Sequence, residues 1–198
     1  VTTACSFAPS DKGYGIRAAI WAGAHLDAEP APVLFDRGLV APGVDAGYVD
    51  APSAFGGKEF PGTVRQYNPG SQPFLKVNRH GERFMNESQE YDNASHASFQ
   101  QPGHVYAMIH DANFREDVDR FHTIGCSALT RYIPGMMEGQ LEQYEGEGLI
   151  MKADTIEELA EAIGCDSKTL SATIERYNEL CAGGYDEDFG KSSKRLFP

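Results

Sequence analysis

The stretch Pro73–Ser95, PFLKVNRHGERFMNESQEYDNAS, decides the fold. Phe74, Val77, Phe84 and Met85 are its apolar members, and His80-Gly81 places a glycine where a tight reversal needs positive φ. A hairpin is therefore predicted. Behind it Asn86, Glu87, Tyr91, Asp92 and Asn93 crowd into eight residues, and Asp92 or Asn93 can cap a helix running through Ala94 to Phe99. Polar groups gathered at a strand-to-helix junction point to a site. A solvated hairpin followed by a capped surface helix is the other reading of the same spacing, which contains no metal or triad motif.

Downstream, Thr155-Ile156-Glu157-Glu158 forms a capping box, and Ile156, Leu159, Ala160 and Ile163 follow at helical spacing before Gly164 stops the helix. A second helix starts at Asp166, carries Leu170, Ile174, Tyr177 and Cys181 as its apolar stripe, and ends at Gly183-Gly184. Between hairpin and helices, HVYAMIHD (His104 to Asp111) alternates Val105, Ala107 and Ile109 with Tyr106, Met108 and His110, as a strand does. Its two histidines lie six apart without a ligand cluster, so no metal site is expected. Asp111 or Asn113 can cap a short helix through Val118, Phe121 to Tyr132 has no clear period, and Pro134 to Glu147 is helical but weakened by three glycines.

Toward the N-terminus, residues 28–72 are rich in proline and glycine, so loops and brief strands are expected. Ile16 to Leu26 is predicted as a helix opened by Gly13-Tyr14-Gly15. A glycine loop at a helix start aims backbone N–H groups at an anion, and a dinucleotide phosphate is one such ligand; two glycines turning the chain into a helix is the other reading. The elements together predict an α+β fold, a small mixed or antiparallel sheet covered by helices. Phe74 to Asn78, Arg83 to Met85 and Val105 to Ile109 form the sheet, under helices at Ile156 to Ile163 and Leu170 to Cys181.

The 198 residues, 41% of them hydrophobic, suit one core. A net charge of −12 disfavours nucleic acid and anionic membrane surfaces as partners. No stretch approaches the roughly 20 apolar residues of a membrane span, and VTTACSFAPSDK has neither region of a signal peptide, so any export signal would lie upstream. Cys5, Cys126, Cys165 and Cys181 have no zinc-ligand spacing and read as small buried hydrophobes, with disulfides as the alternative. The compartment stays open on these features.

Gly81, Arg83, Phe84, Asn86, Glu87 and Asp92 follow the pattern G-x-R-F-x-N-E-x-x-x-R-D. In this the segment resembles the capping domain of the flavoprotein subunit of the fumarate reductase and succinate dehydrogenase family, which also contains urocanate reductases and ketosteroid dehydrogenases. GYGIRAAIWAGAHLD is similar to the family's GDG-helix-AGA passage, with Tyr14 in place of the acidic residue, and KADTIEELAEAIGCDSKTLSATIERYNEL to its late helical pair. Where soluble fumarate reductases carry the proton-donating arginine, this chain has Tyr91.

The resemblance implies a piece of a FAD-dependent enzyme that reduces or forms an activated C=C bond of an enoate-type substrate. Residues 1–30 would be a returning segment of the FAD-binding domain, 31–190 the capping domain and 191–198 an exit linker. Tyr91 would be the catalytic acid, and Gly13 and Gly15 would contact FAD. Arg37, Gln66, Tyr67 and Glu87 would contact substrate. The family's H-P-T and threonine-glutamate motifs are absent near Phe35 to Gly38 and Gln66-Tyr67, which argues against fumarate itself. The implied partners are the FAD-binding domain of the same parent chain and a small unsaturated acid. Without the G-x-G-x-x-G unit that grips the FAD pyrophosphate, the 198 residues alone are expected to be inactive. A free-standing α+β ligand-binding or interaction module without redox chemistry is the competing class.

Overall fold

The structure, a computed structural model, describes residues 13–26, 37–46, 49–50, 58–59, 65–121 and 136–198. Six strands lie among them: β1 (Gly38–Leu39), β2 (Val49–Asp50), β3 (Lys58–Glu59), β4 (Arg65–Gln66), β5 (Leu75–Val77) and β6 (Ala107–Ile109). Six helices accompany them: α1 (Tyr14–Trp21), α2 (Tyr91–Phe99), α3 (Phe114–Arg120), α4 (Met136–Gly146), α5 (Ile156–Ile163) and α6 (Ser167–Gly183). The strands pair as three antiparallel ribbons, β1–β4, β2–β3 and β5–β6. The fold is thus the expected α+β, with small antiparallel sheets.

The β5–β6 ribbon is the centre, and its period-two alternation sorts side chains to two faces. Leu75, Val77, Ala107 and Ile109 face α5 and α6, where they meet Ala160, Leu170, Tyr177 and Leu180 in the main core. Phe74 and Met108 go to the other face, into a cluster with Val118 and Phe121. Met108 also reaches a third cluster built on Tyr67, Leu141 and Tyr144. The helical pair over the sheet was therefore correctly expected. The segment Arg83 to Met85, expected as a third strand, contributes only one bridge, Val77↔Arg83. Its backbone turns away because Arg83 and Glu87 are drawn into a buried ion-pair cluster.

The hairpin turn is made by a side chain as well as by Gly81. Asn78 Oδ1 accepts from the N–H groups of His80 at 2.9 Å and Glu82 at 3.1 Å, an Asx turn. Gly81 has φ +80°, and its Cα packs so closely on the start of α6 that a Cβ would meet Leu170 N at 3.3 Å. The helical pair is bounded as its sequence dictates. Thr155 Oγ1 accepts from Glu158 N–H, while the Glu158 carboxylate takes the N–H of Asp154, one residue before the cap. Asp166 caps α6 by accepting from Thr169 N–H at 2.9 Å.

Several boundaries differ from expectation. α1 begins at Tyr14 and closes at Ala22, because Ala24 N–H reaches back to Ala19 O and Gly23 takes φ +98°. α2 begins at Tyr91 after extended Glu90 and has no side-chain cap, so Asp92 lies within its first turn. α3 begins at Phe114; Asn113 precedes it without capping it, its own N–H being held by Asp111 Oδ1. α4 is regular from Met136 to Gly146 despite its glycines. The ambiguous Phe121 to Tyr132 lies outside the described residues beyond Phe121, as do Cys5 and Cys126.

Candidate functional site

Two side-chain constellations stand out among the described residues. The first is a buried charge cluster under the hairpin. Arg83 donates to both carboxylate oxygens of Glu87 (Nε–Oε1 2.8 Å, Nη2–Oε2 3.0 Å) and to both of Asp186 (3.0 and 2.7 Å). Lys191 Nζ approaches Glu87 Oε2 at 3.3 Å and donates to Tyr177 Oη at 2.6 Å and to the carbonyl of Pro73. Two cations and two anions thus neutralise one another where water is excluded, the condition under which buried charges are tolerated.

The electrostatics follow from that geometry. Burial alone would raise the Asp186 carboxyl, but hydrogen bonds from Arg83 and from the N–H groups of Lys191 and Phe189 hold it at about 2. Burial would lower the Arg83 guanidinium, yet Glu87 and Asp186 push it up. Burial wins at Lys191, whose ammonium is lowered despite Glu87. Tyr177 and Cys181 are both raised by burial, Cys181 to about 11, so its thiol is not a nucleophile near neutrality.

The second constellation joins four residues singled out in the sequence. Arg37 places its guanidinium carbon 5.0 Å from the centroid of the Tyr91 ring. The Arg37 carbonyl accepts from Tyr67 N–H at 2.9 Å, and Gly38 is in register with Gln66. The short ribbon β1–β4 therefore brings Arg37, Gln66 and Tyr67 together, and the helix start at Tyr91 meets them through Arg37. Tyr91 is half-buried as the first residue of α2.

The four are not equivalent. Tyr67 is a core residue, edge-on to Tyr144 at 6.1 Å, with its hydroxyl pushed up to about 12 by burial and by the charge of Glu145. Gln66 donates its side-chain amide to Asn68 Oδ1 at 2.9 Å, and its backbone carbonyl accepts from the Tyr144 hydroxyl at 2.8 Å. Glu87 lies in the other constellation, fully buried with both oxygens committed to Arg83 and Lys191. Its geometry braces the junction that leads into Tyr91.

Gly13 takes φ +66° at the cap of α1, which has no side-chain cap, and a Cβ on Gly13 or Gly15 would meet nothing within 4 Å. Among the described residues no group of three His, Cys, Asp or Glu side chains could hold a metal ion, and no helix is long and apolar enough to cross a membrane. His104 stacks on Phe99, and His110 is packed by Phe74 and Phe114, where burial lowers its imidazole. Cys165 and Cys181 are free thiols.

Asp186, Tyr177 and Lys191 were missed as members of a charge cluster. Tyr177 read as part of an apolar stripe, and Asp186 is one of three acids in Tyr185–Gly190. The sequence signal available was Arg83 itself, a guanidinium inside an apolar hairpin that needs acidic partners on burial.

The described residues form an α+β unit in which the β1–β4 ribbon gathers Arg37, Gln66 and Tyr67, and Arg37 meets Tyr91 at the start of α2. Over residues 1–198 the sequence matches the family model FAD_binding_2, described as FAD binding domain, and the chain belongs to that family. It is 37% identical over 134 residues to a 3-oxosteroid 1-dehydrogenase of Mycolicibacterium smegmatis, covering 62% of this chain and 21% of that protein. To a vinyl phenol reductase of Lactiplantibacillus plantarum it is 28% identical over 190 residues, covering 93% of this chain and 36% of that one. Its fold is similar to the open conformation of a flavocytochrome c3 fumarate reductase, with a TM-score of 0.51 at 22% identity over 94% of this chain and 26% of that structure. The chain thus spans only a fifth to about a third of these proteins' lengths.

Proposed function

We propose that this chain is the substrate-capping part of a FAD-dependent oxidoreductase that reduces, or forms, an activated C=C bond of an enoate-type substrate other than fumarate, with Tyr91 as the group that moves the proton. The observation that carries this reading is the placement of Tyr91 at the first turn of α2, half-exposed and against a guanidinium, directly after a hairpin clamped by buried ion pairs. A proton donor must be held within hydrogen-bond reach of a carbon that reacts only briefly, so its support has to be rigid. Relatives named vinyl phenol reductase, NADH:acrylate oxidoreductase and 3-oxosteroid 1-dehydrogenase support the reaction class.

In this reading FAD, when bound, supplies or accepts the hydride at the β carbon. Gly13 and Gly15 offer backbone N–H groups to one of its phosphates. Tyr91 donates its hydroxyl proton to the α carbon in reduction, Arg37 backs the Tyr91 ring beside the substrate's acyl group, and Gln66 and Tyr67 shape the wall behind it. Glu87, held by Arg83 and Lys191, keeps the junction in place. α1 exposes Tyr14, Ile16, Ile20 and Trp21 along its length, as a helix does whose packing partner is the rest of the parent chain's FAD-binding domain.

The test is made in the full-length parent. Tyr91→Phe is expected to lower kcat roughly 100-fold or more, the scale of a general-acid contribution, with flavin content unchanged. Near-normal turnover would leave Tyr91 a packing residue. The 198 residues alone are expected to purify without flavin and without dye-linked reductase activity. Stoichiometric FAD bound to them would favour a free-standing binding module instead.

A further inference from the structure

The contact between Arg37 and Tyr91 joins two parts of the chain that lie 54 positions apart. Arg37 is only 7% exposed, and its backbone is pinned to Tyr67 immediately before β1. Tyr91 is fixed by the start of α2, where Ala94 N–H donates to Glu90 O at 3.0 Å and sets the register. With the guanidinium carbon 5.0 Å from the ring centroid, the pair is within range of a cation–π attraction. That attraction grows when negative charge gathers on the phenol oxygen, and it acts through a reduced dielectric because Arg37 is buried.

We propose that Arg37 is a positioning residue for Tyr91: its guanidinium sets the ring's orientation and stabilises the charge that develops on the phenol oxygen as the proton leaves. This rests on the reading of Tyr91 as proton donor. The step balances as follows in reduction: the Tyr91 O–H bond breaks and a C–H bond forms at the α carbon, while the β carbon takes hydride from the reduced flavin, which is oxidised. The phenolate then regains a proton from water.

The experiment uses the flavin-loaded parent enzyme, reduced methyl viologen as electron donor, and cinnamate and methyl cinnamate as probes, one with a carboxylate and one without. Arg37→Met is expected to lower kcat roughly 10- to 30-fold on both probes, the scale of a desolvated cation–π contact. Arg37→Lys is expected to recover part of it. In a Tyr91→Phe background Arg37→Met should lower kcat no further, because the group it acts through is gone. A rise in KM confined to cinnamate, with kcat unchanged, overturns the proposal and leaves Arg37 a carboxylate anchor. A full kcat loss from Arg37→Met in the Tyr91→Phe background also overturns it, while the donor role of Tyr91 survives. Wild-type turnover by Tyr91→Phe defeats the donor reading itself. Should neither probe be reduced, ring signals of 13C-labelled tyrosine decide: the Tyr91 signal is expected to move in Arg37→Met and to return toward wild type in Arg37→Lys. A Tyr91 signal indifferent to both variants overturns the proposal.

Discussion

Arg83 grips Glu87 through two parallel hydrogen bonds of 2.8 and 3.0 Å, although the residues between them form no helix. The i,i+4 pair is brought together by the turn through Asn86, whose Oδ1 accepts from Ser88 N–H at 2.8 Å. The same guanidinium then reaches Asp186, 103 positions later, and so ties the hairpin to the C-terminal tail.

Because both side chains are almost wholly buried, Glu87→Gln leaves Arg83 and Lys191 short of a counter-charge. Stability is expected to fall by about 3–5 kcal/mol, the scale for breaking a buried pair by removing one partner. Urea denaturation checks it; a loss below about 1 kcal/mol would mean that the cluster holds the fold together far less than its burial implies.

Acid should act through Asp186. Its folded value of about 2 lies below the ordinary 3.8, so the unfolded chain takes up the proton first. The stability it contributes is full above pH 4 or so and is lost as the pH falls toward 2, by about 2 kcal/mol in all. Denaturant midpoints measured across that window should fall in the wild type, with a shallower slope in Asp186→Asn.

Gly81 and Gly164 form a matched pair for separating two costs. Both have φ near +80°, but a Cβ on Gly81 would press on Cys165 Sγ at 3.2 Å and Leu170 N at 3.3 Å, whereas one on Gly164 meets nothing within 4 Å. Gly164→Ala is expected to cost about 1–2 kcal/mol from the left-handed backbone alone. Gly81→Ala should cost more, since the turn must also lift off α6. Equal losses would mean that the turn and helix part freely.

The N-cap of α5 gives a smaller, local effect. Thr155→Ala removes the acceptor for Glu158 N–H, and a loss of about 1 kcal/mol is expected in the thermal or urea midpoint. The stability of Thr155→Ser should stay close to that of the wild type, because the hydroxyl is kept.

What the sequence alone determined is what depends on neighbours along the chain. The capping signals at Thr155 and Asp166, the stop at Gly164 and the apolar stripe of Leu170 and Tyr177 are short-range, so α5 and α6 were legible. The alternation that makes β6 and the turn at Gly81 were legible for the same reason, and so was the family signature from Gly81 to Asp92. The pairing of Arg83 with Glu87 was within reach of the sequence, but only the tertiary structure brought Asp186 to the same guanidinium. A strand was expected at Arg83, but its guanidinium has more to gain from Glu87 and Asp186 in a dry interior than its backbone has from a longer ladder. Tertiary packing also seated Arg37 against Tyr91 and committed Glu87 to Lys191. Those partners lie 54 and 104 positions apart, and no periodicity or propensity carries information over such a distance. Burial had to choose them, because a charge removed from water is stable only where the folded chain supplies its counterpart.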